Sequence, residues 1–288
     1  MNEKTHNDKK IKDEIRNIYG AIAQTGGSCC GPDTSCGCSS AAASDSSKKI
    51  GYSDNDISAA PDGANLGLGC GNPVAIASLR SGEIVLDLGS GGGFDSFLAA
   101  KKVGLTGKVI GVDMTPGMIE RARANAERGG YSNVEFRLGE IEHLPIDDNS
   151  VNVIISNCVI NLATDKNQVF REAHRVLKAG GRFMVSDTVL NKPLPAPVRE
   201  SVSAYIGCAS GALMKDEYLS MLRAAGFVKV EIVKDAPFDF DCGCANPTAL
   251  EGLGLTSIKD TNAAVEKTIS SITVSAFKKA TPDQKKTR

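Results

Sequence analysis

The chain has no strongly basic half, no long apolar run and no internal repeat. Its 33 lysines and arginines stand against 34 acids, for a net charge of −1, so the electrostatic footprint of a nucleic-acid binder is absent. No apolar stretch approaches the roughly 20 residues that span a bilayer, which excludes a transmembrane helix. The first residues, Met-Asn-Glu-Lys-Thr-His, lack the apolar core of an export signal, and a cytoplasmic protein with no membrane partner is expected. Without a repeat, a solenoid or propeller is excluded. Histidine is scarce, at three residues; His143 and His174 fall in ordinary elements or loops, where a structural or solvated role is expected.

What remains is a chain of 288 residues, 41% hydrophobic and 23% charged, enough for one large domain plus a small appendage. Nine cysteines stand out, at 29, 30, 36, 38, 70, 158, 208, 242 and 244. An odd count in a large chain without an export signal argues against a disulfide scaffold. It favours metal, metalloid or redox chemistry.

The organising stretch is Glu83 to Ser96. An apolar strand, Ile84 to Leu88, feeds a glycine-rich turn, Gly89 to Gly93, and a helix from about Phe94. This is where α/β folds hold nucleotide-like ligands. The dinucleotide fingerprint G-x-G-x-x-G is not met, because Phe94 stands at its last position. Asp87, inside the strand, can receive the ammonium of an amino-acid moiety. Together these features favour S-adenosylmethionine over NAD.

Strands and helices alternate from there. Strands are predicted over 108–113, 134–138, 151–156 and 182–186, with one helix capped by Thr115, Pro116 just inside its start, running to about Arg128 before Gly129-Gly130, and another capped by Thr164 or Asp165 and ended by Gly180-Gly181. The expected fold is α/β, a doubly wound, mostly parallel sheet with a helical insert and a C-terminal extension. Later elements are a helix over about 216–225, a strand over 228–233 and a last strand over 270–277, placed antiparallel at the sheet edge. The organisation predicted is an N-terminal helix and a flexible Cys/Gly/Ser-rich segment (1–49), a cofactor-binding α/β domain (50–190), a substrate-covering region (191–279) and a frayed tail (280–288). Residues 25–49 read as a mobile linker or lid.

Cofactor candidates lie at successive strand ends: Asp87, Gly89, Ser90 and Gly91, then Asp113 and Met114, then Gly139, Glu140, Ile141 and Glu142, and finally Asn157. Asp113 can accept hydrogen bonds from both ribose hydroxyls, while acids and backbone near Glu140 and Glu142 can read the adenine amino group. Ile141 and Met114 are placed to pack on the ring. The plainer alternatives are a helix-capping acid at Asp113 and solvated loop acids at Glu140 and Glu142. Residues 80–188 resemble the class I S-adenosylmethionine-dependent methyltransferases, through Val85-Leu86-Asp87-Leu88-Gly89-Ser90-Gly91-Gly92-Gly93, Gly111-Val112-Asp113-Met114 and Val176-Leu177-Lys178-Ala179-Gly180-Gly181-Arg182.

Where an amine methyltransferase of this kind typically carries an Asn-Pro or Asp-Pro motif, this chain has Ser156-Asn157-Cys158. Cys70, Cys158 and Cys208 can converge over the C-terminal edge of the sheet. Three thiolates suit a soft, pyramidal centre such as arsenic(III), whose lone pair can attack a sulfonium methyl. Zinc is the competing ligand, but it would want a fourth donor. A small organic acceptor such as a quinone precursor, or metalloid binding without catalysis, would leave part of this set idle.

Gly67-Leu68-Gly69-Cys70-Gly71-Asn72-Pro73, Asn157-Cys158-Val159-Ile160-Asn161-Leu162 and Gly207-Cys208-Ala209-Ser210-Gly211-Ala212 resemble the motifs of the arsenite S-adenosylmethionine methyltransferases. The resemblance implies methylation of trivalent arsenic, offered as arsenite or its thiol conjugates, to mono- and dimethylated species. It makes Cys158 and Cys208 direct arsenic ligands, and Cys70 a third ligand or a disulfide partner during turnover. Thioredoxin or glutathione would be the reductant. Cys29-Cys30 is the candidate for an additional N-terminal cysteine that closes over the site; Cys36, Cys38, Cys242 and Cys244 have no assigned role.

Overall fold

A computed structural model describes residues 3–25, 40–194, 211–238 and 268–280. The strand that opens the α/β alternation, β1 (Ile84–Leu88), lies at the middle of an eight-stranded sheet. It pairs in parallel with β2 (Lys108–Asp113) on one side and β4 (Val151–Asn157) on the other. β3 (Val134–Leu138) flanks β2, and β5 (Leu177–Leu190) flanks β4, again in parallel. The two-residue β6 (Leu213–Met214) pairs with the end of β5. β7 (Phe227–Pro237) and β8 (Ile269–Lys278) complete the order β3-β2-β1-β4-β5-β8-β7. The expected doubly wound, mostly parallel sheet is therefore present.

Alternate residues of a strand face opposite sides, and here both sides are covered. Leu86 and Leu88 pack with Val169, Phe170, Ala173 and Val176 of α7 (Lys166–Val176) and with Tyr218 and Leu222 of α8 (Lys215–Ala224). Val85, Val109, Val153 and Ile155 face the other way, onto Leu98, Ala99, Ala100 and Val103 of α5 (Phe94–Val103). α6 (Pro116–Arg128) carries Ile119 and Ala122 against Phe97 and Phe136. The N-terminal α1 (Glu3–Thr25) lies on α6, where Ile22 and Ala23 meet Met118. Two short helices, α3 (Asp54–Ala59) and α4 (Pro73–Ile76), precede the sheet. Among the described residues no helix is long and apolar enough to cross a membrane.

Four expectations are corrected. Residues 40–49, read as part of a linker, form a helix, α2 (Ser40–Lys49). Ser47 is buried there and donates to Asn65 Oδ1 at 2.9 Å, so a polar composition is anchored by hydrogen bonding instead of apolar burial. α7 stops at Val176, not at Gly180-Gly181. Leu177 already pairs with Val151, and the ladder resumes at Arg182 opposite Val153, so the glycines sit in a bulge where Gly180 has φ +76°. Thr115 stands at the start of α6 but makes no side-chain cap; Asp113 Oδ1 accepts its N–H instead, at 2.9 Å. Finally, β8 is interior and β7 is the edge. β8 runs antiparallel to both neighbours, and its Thr273 hydroxyl is satisfied inside the sheet, 3.0 Å from the Ser186 hydroxyl of β5.

Candidate active site

The site lies beyond the C-terminal ends of β1, β2 and β4, in a cleft lined by the glycine turn after β1, by Asp113 and Met114 after β2, and by Asn157 and Cys158 at the end of β4. β1 delivers the turn Gly89 to Gly93. A Cβ on Gly89, where φ is +69°, would come within 2.3 Å of Val159, so only glycine lets the turn lie against the segment after β4. At Gly91 a Cβ would meet nothing within 4 Å, leaving the backbone open to a ligand. Asp113, at the end of β2, accepts the Gly91 N–H at 3.0 Å and braces the turn from behind.

Three acids crowd this wall. Asp87 is buried and accepts from Ser96 Oγ at 2.6 Å. Asp95, on the first turn of α5, accepts from Tyr52 Oη at 2.6 Å and from Asn157 Nδ2 at 3.1 Å. Burial raises the pKa of both carboxyls, and at Asp87 the charge of Asp95 adds to it; the hydroxyl donors oppose the shift. Burial also raises Asp113, against the opposing N–H groups of Thr115 and Gly91. Buried acids facing one another are a receptor for a cation. Two residues lining the cleft also carry buried polar atoms with no hydrogen-bond partner among the described residues, Ser90 Oγ and Asn65 Nδ2. Uncompensated acids, unused polar atoms and an open glycine backbone fit the amino-acid and nucleoside parts of S-adenosylmethionine.

At the far end, Met114, Ile141 and Glu142 line the cleft as expected from the sequence. Gly139 and Glu140 do not. Glu140 turns to α1 and pairs with Lys12 at 2.7 Å and Arg16 at 2.5 Å. Lys12 also pairs with Glu142 at 2.9 Å. Burial works against the charge on Lys12, but the two glutamates more than offset it and its pKa is raised. α1 therefore forms one wall, with Lys12, Ile15 and Tyr19 lining the cleft.

Two of the three expected thiols meet here. Cys70 and Cys158 are both buried and share one apolar cluster with Ile15 and Leu162, edged by Tyr19, Met114 and Phe238. Cys158 lines the cleft and Cys70 lies beside it. Cys158 holds φ +60°, a left-handed conformation unusual for a side-chain-bearing residue, and its N–H donates to Ser186 O at 2.8 Å. Asn161 Nδ2 lies 3.8 Å from Cys158 Sγ and donates to the buried Asp187 at 2.6 Å. Tyr218 closes this group, donating to Asp187 at 3.3 Å; burial, then Asp187, then both thiols push its hydroxyl well above its ordinary pKa. Burial raises Asp187 to about 6.

Cys70 is held through its backbone. Its N–H donates to Asn157 Oδ1 at 2.9 Å, and its carbonyl accepts from Ser271 Oγ at 2.5 Å. The flanking glycines are required: a Cβ on Gly69 would lie 2.5 Å from Asn157 Nδ2, and one on Gly71 2.5 Å from Ser186 Oγ. Cys208, Cys29 and Cys30 lie outside the described residues, as do Cys36, Cys38, Cys242 and Cys244. His143 is exposed and His174 packs edge-on against Phe227, 5.3 Å between ring centres; neither lines the cleft. Asp95, Tyr52, Asn65 and the α1 residues were not foreseen. Asp95 reads in the sequence as an ordinary acid at a helix start, and the others carry no motif.

A doubly wound sheet with an open glycine turn and buried acids at its carboxyl edge defines the methyltransferase class, and residues 79–226 match the methyltransferase domain family. The chain belongs to that family. An arsenite methyltransferase of Halobacterium salinarum is 49% identical over 240 residues, 81% of this chain and 61% of the relative. The human arsenite methyltransferase is 40% identical over 158 residues, 52% of this chain and 42% of the relative. Among solved structures, an arsenic(III) S-adenosylmethionine methyltransferase from Chlamydomonas reinhardtii superposes with a TM-score of 0.62 at 30% identity, covering 84% of this chain and 74% of that one. The chain thus spans less than two thirds of the length of both curated relatives, 61% of one and 42% of the other.

Proposed function

We propose that this chain is an S-adenosylmethionine-dependent arsenite methyltransferase. The observation that carries the reading is the shared cluster of Cys70 and Cys158 at the edge of a cleft built for a cationic nucleoside. Both relatives named above and the algal structure are arsenic methyltransferases, which agrees with it. On this reading Asp87, Gly89, Ser90, Gly91, Asp113, Met114, Ile141 and Glu142 hold the cofactor, which supplies an electrophilic methyl carbon when bound, and Asn157 serves it through Asp95. Gly139 and Glu140 act at one remove, Glu140 fixing the lysine that braces Glu142. Residues 50–190 form the cofactor domain, and the region 191–279 both completes its sheet with β7 and β8 and supplies the substrate cover.

Cys158 and Cys208 ligate arsenic, with Cys70 as third ligand or disulfide partner and Cys29-Cys30 as a further thiol closing over the site. Arsenic(III) carries a lone pair and no proton, so no general base is needed and catalysis is mainly positioning. Methyl transfer formally oxidises arsenic by two electrons. A dithiol such as reduced thioredoxin, or two molecules of glutathione, returns them and becomes a disulfide, which fits a reducing, cytoplasmic setting. Mono- and dimethylated arsenicals are the products.

The test is incubation with arsenite, S-adenosylmethionine and a thiol, with products resolved by mass spectrometry. Methylated arsenicals should appear. Cys158→Ser and Cys208→Ser should each abolish them while S-adenosylhomocysteine still binds by calorimetry. Undiminished arsenite methylation in Cys158→Ser would sink the ligand assignment. Methylation of a quinone precursor but not of arsenite would sink the substrate.

A further inference from the structure

One side chain belongs to both halves of the site. Asn157, the last residue of β4, accepts from Cys70 N–H at 2.9 Å and Gly71 N–H at 3.2 Å through Oδ1. Through Nδ2 it faces three acceptors: Gly71 O at 2.8 Å, Tyr52 Oη at 2.9 Å and Asp95 Oδ2 at 3.1 Å. An amide nitrogen carries two hydrogens. Three acceptors therefore compete for two hydrogens, and one of the three belongs to the buried acid pair of the cleft. The remaining competitor, Tyr52, gives its own hydrogen to Asp95 Oδ1.

We propose that Asn157 is a positioning residue that couples occupancy of the cofactor cleft to the geometry of the Cys70 loop. A cation beside Asp87 and Asp95 draws on the Asp95 carboxylate and weakens its hold on Nδ2. The amide hydrogen then goes more fully to the Gly71 carbonyl, next to Cys70, and the loop tightens around its thiol. The glycine at 69 is part of the device, since a Cβ there would occupy the place of the Asn157 amide. Coupling of this kind is reciprocal: arsenite should tighten cofactor binding by the factor by which cofactor tightens arsenite binding. The proposal rests on the arsenite reading given above.

The experiment measures arsenite affinity of the full chain by calorimetry, with and without saturating S-adenosylhomocysteine, which carries the same ammonium and transfers no methyl. In the wild type the affinity should rise at least about fivefold when the cleft is filled. In Asn157→Ala both ligands should still bind, with the ratio collapsed to one. Tyr52→Phe leaves two acceptors for the two hydrogens, so the Gly71 carbonyl keeps its donor even when the cleft is empty; the ratio should fall toward one through a gain in arsenite affinity of the empty protein. This second variant keeps the test open if Asn157→Ala does not fold, since a merely structural loss would not tighten arsenite binding to the empty cleft, and a Tyr52→Phe variant with the wild-type ratio would overturn the competition. A wild type that binds arsenite with a ratio of one overturns the coupling alone. A wild type that binds no arsenite removes the proposed function and the coupling with it.

Discussion

Asp87 sits among charges of its own sign. Those acting on it belong to Asp95 and Asp113, and its carboxyl is raised by burial first and by Asp95 next. A carboxyl raised in this way is partly protonated at a pH where a surface aspartate is fully ionised. A bound ammonium needs the ionised form, so it lowers the pKa again and expels the proton. Binding of S-adenosylhomocysteine should therefore release protons at pH 6, seen as a dependence of the calorimetric enthalpy on the buffer's ionisation enthalpy. Affinity should fall as pH drops below the raised pKa. Asp87→Asn should remove most of the proton release; release undiminished in that variant would place its source elsewhere. Gly69 offers a second check. Gly69→Ala forces a Cβ onto Asn157, and a loss of about 1–3 kcal/mol in urea unfolding is expected, with arsenite binding weakened more than cofactor binding.

Among the elements, α1 acts as a clasp. Lys12 and Arg16 bind Glu140 and Glu142, on the loop after β3, while Ile15 and Tyr19 close the cleft. A charge-assisted bond in a partly buried place contributes about 1.5–3 kcal/mol. Lys12→Ala should weaken S-adenosylhomocysteine binding about tenfold, and the variant's affinity should vary less with ionic strength than the wild type's. Titrations at low and high salt check both. This clasp also explains what was legible. The isoleucines of α1 announce an apolar face, but nothing in the sequence says that Lys12 will find Glu142 across 130 residues. Asp113 and Gly89 were readable because strand, turn and acid follow one another locally. Asn157, Tyr52 and Asp95 were not readable as a set, because only the fold brings them within hydrogen-bond reach.

On the scale of the whole molecule, the central strands were plain as apolar, β-branched runs, since burial on both faces leaves no polar position. β8 misled for the opposite reason. Its serines and threonines imply a wet edge, yet Ser270, Thr273 and Ser275 are buried, and Thr273 is paired with a hydroxyl of β5. β7, with Lys229 and Lys234 and two register shifts, has the charges and irregularity of a real edge. The core on the α7 side hinges on Phe170, whose ring centre is 5.2 Å from that of Tyr218 and 6.2 Å from that of Phe183. Phe170→Ala should cost about 3–5 kcal/mol in chemical denaturation.

The interior place of β8 also sets an order of assembly. Among the described residues β7 joins the sheet only through β8, which is made some thirty residues later, counting from Pro237 to Ile269. On the ribosome, β5 must wait with a bare flank while residues up to 278 emerge, and β7 waits with it. Translation and folding thus run in opposite directions along this side of the protein. A nascent chain stalled before residue 269 would present the flank of β5 as an open template for pairing with another chain.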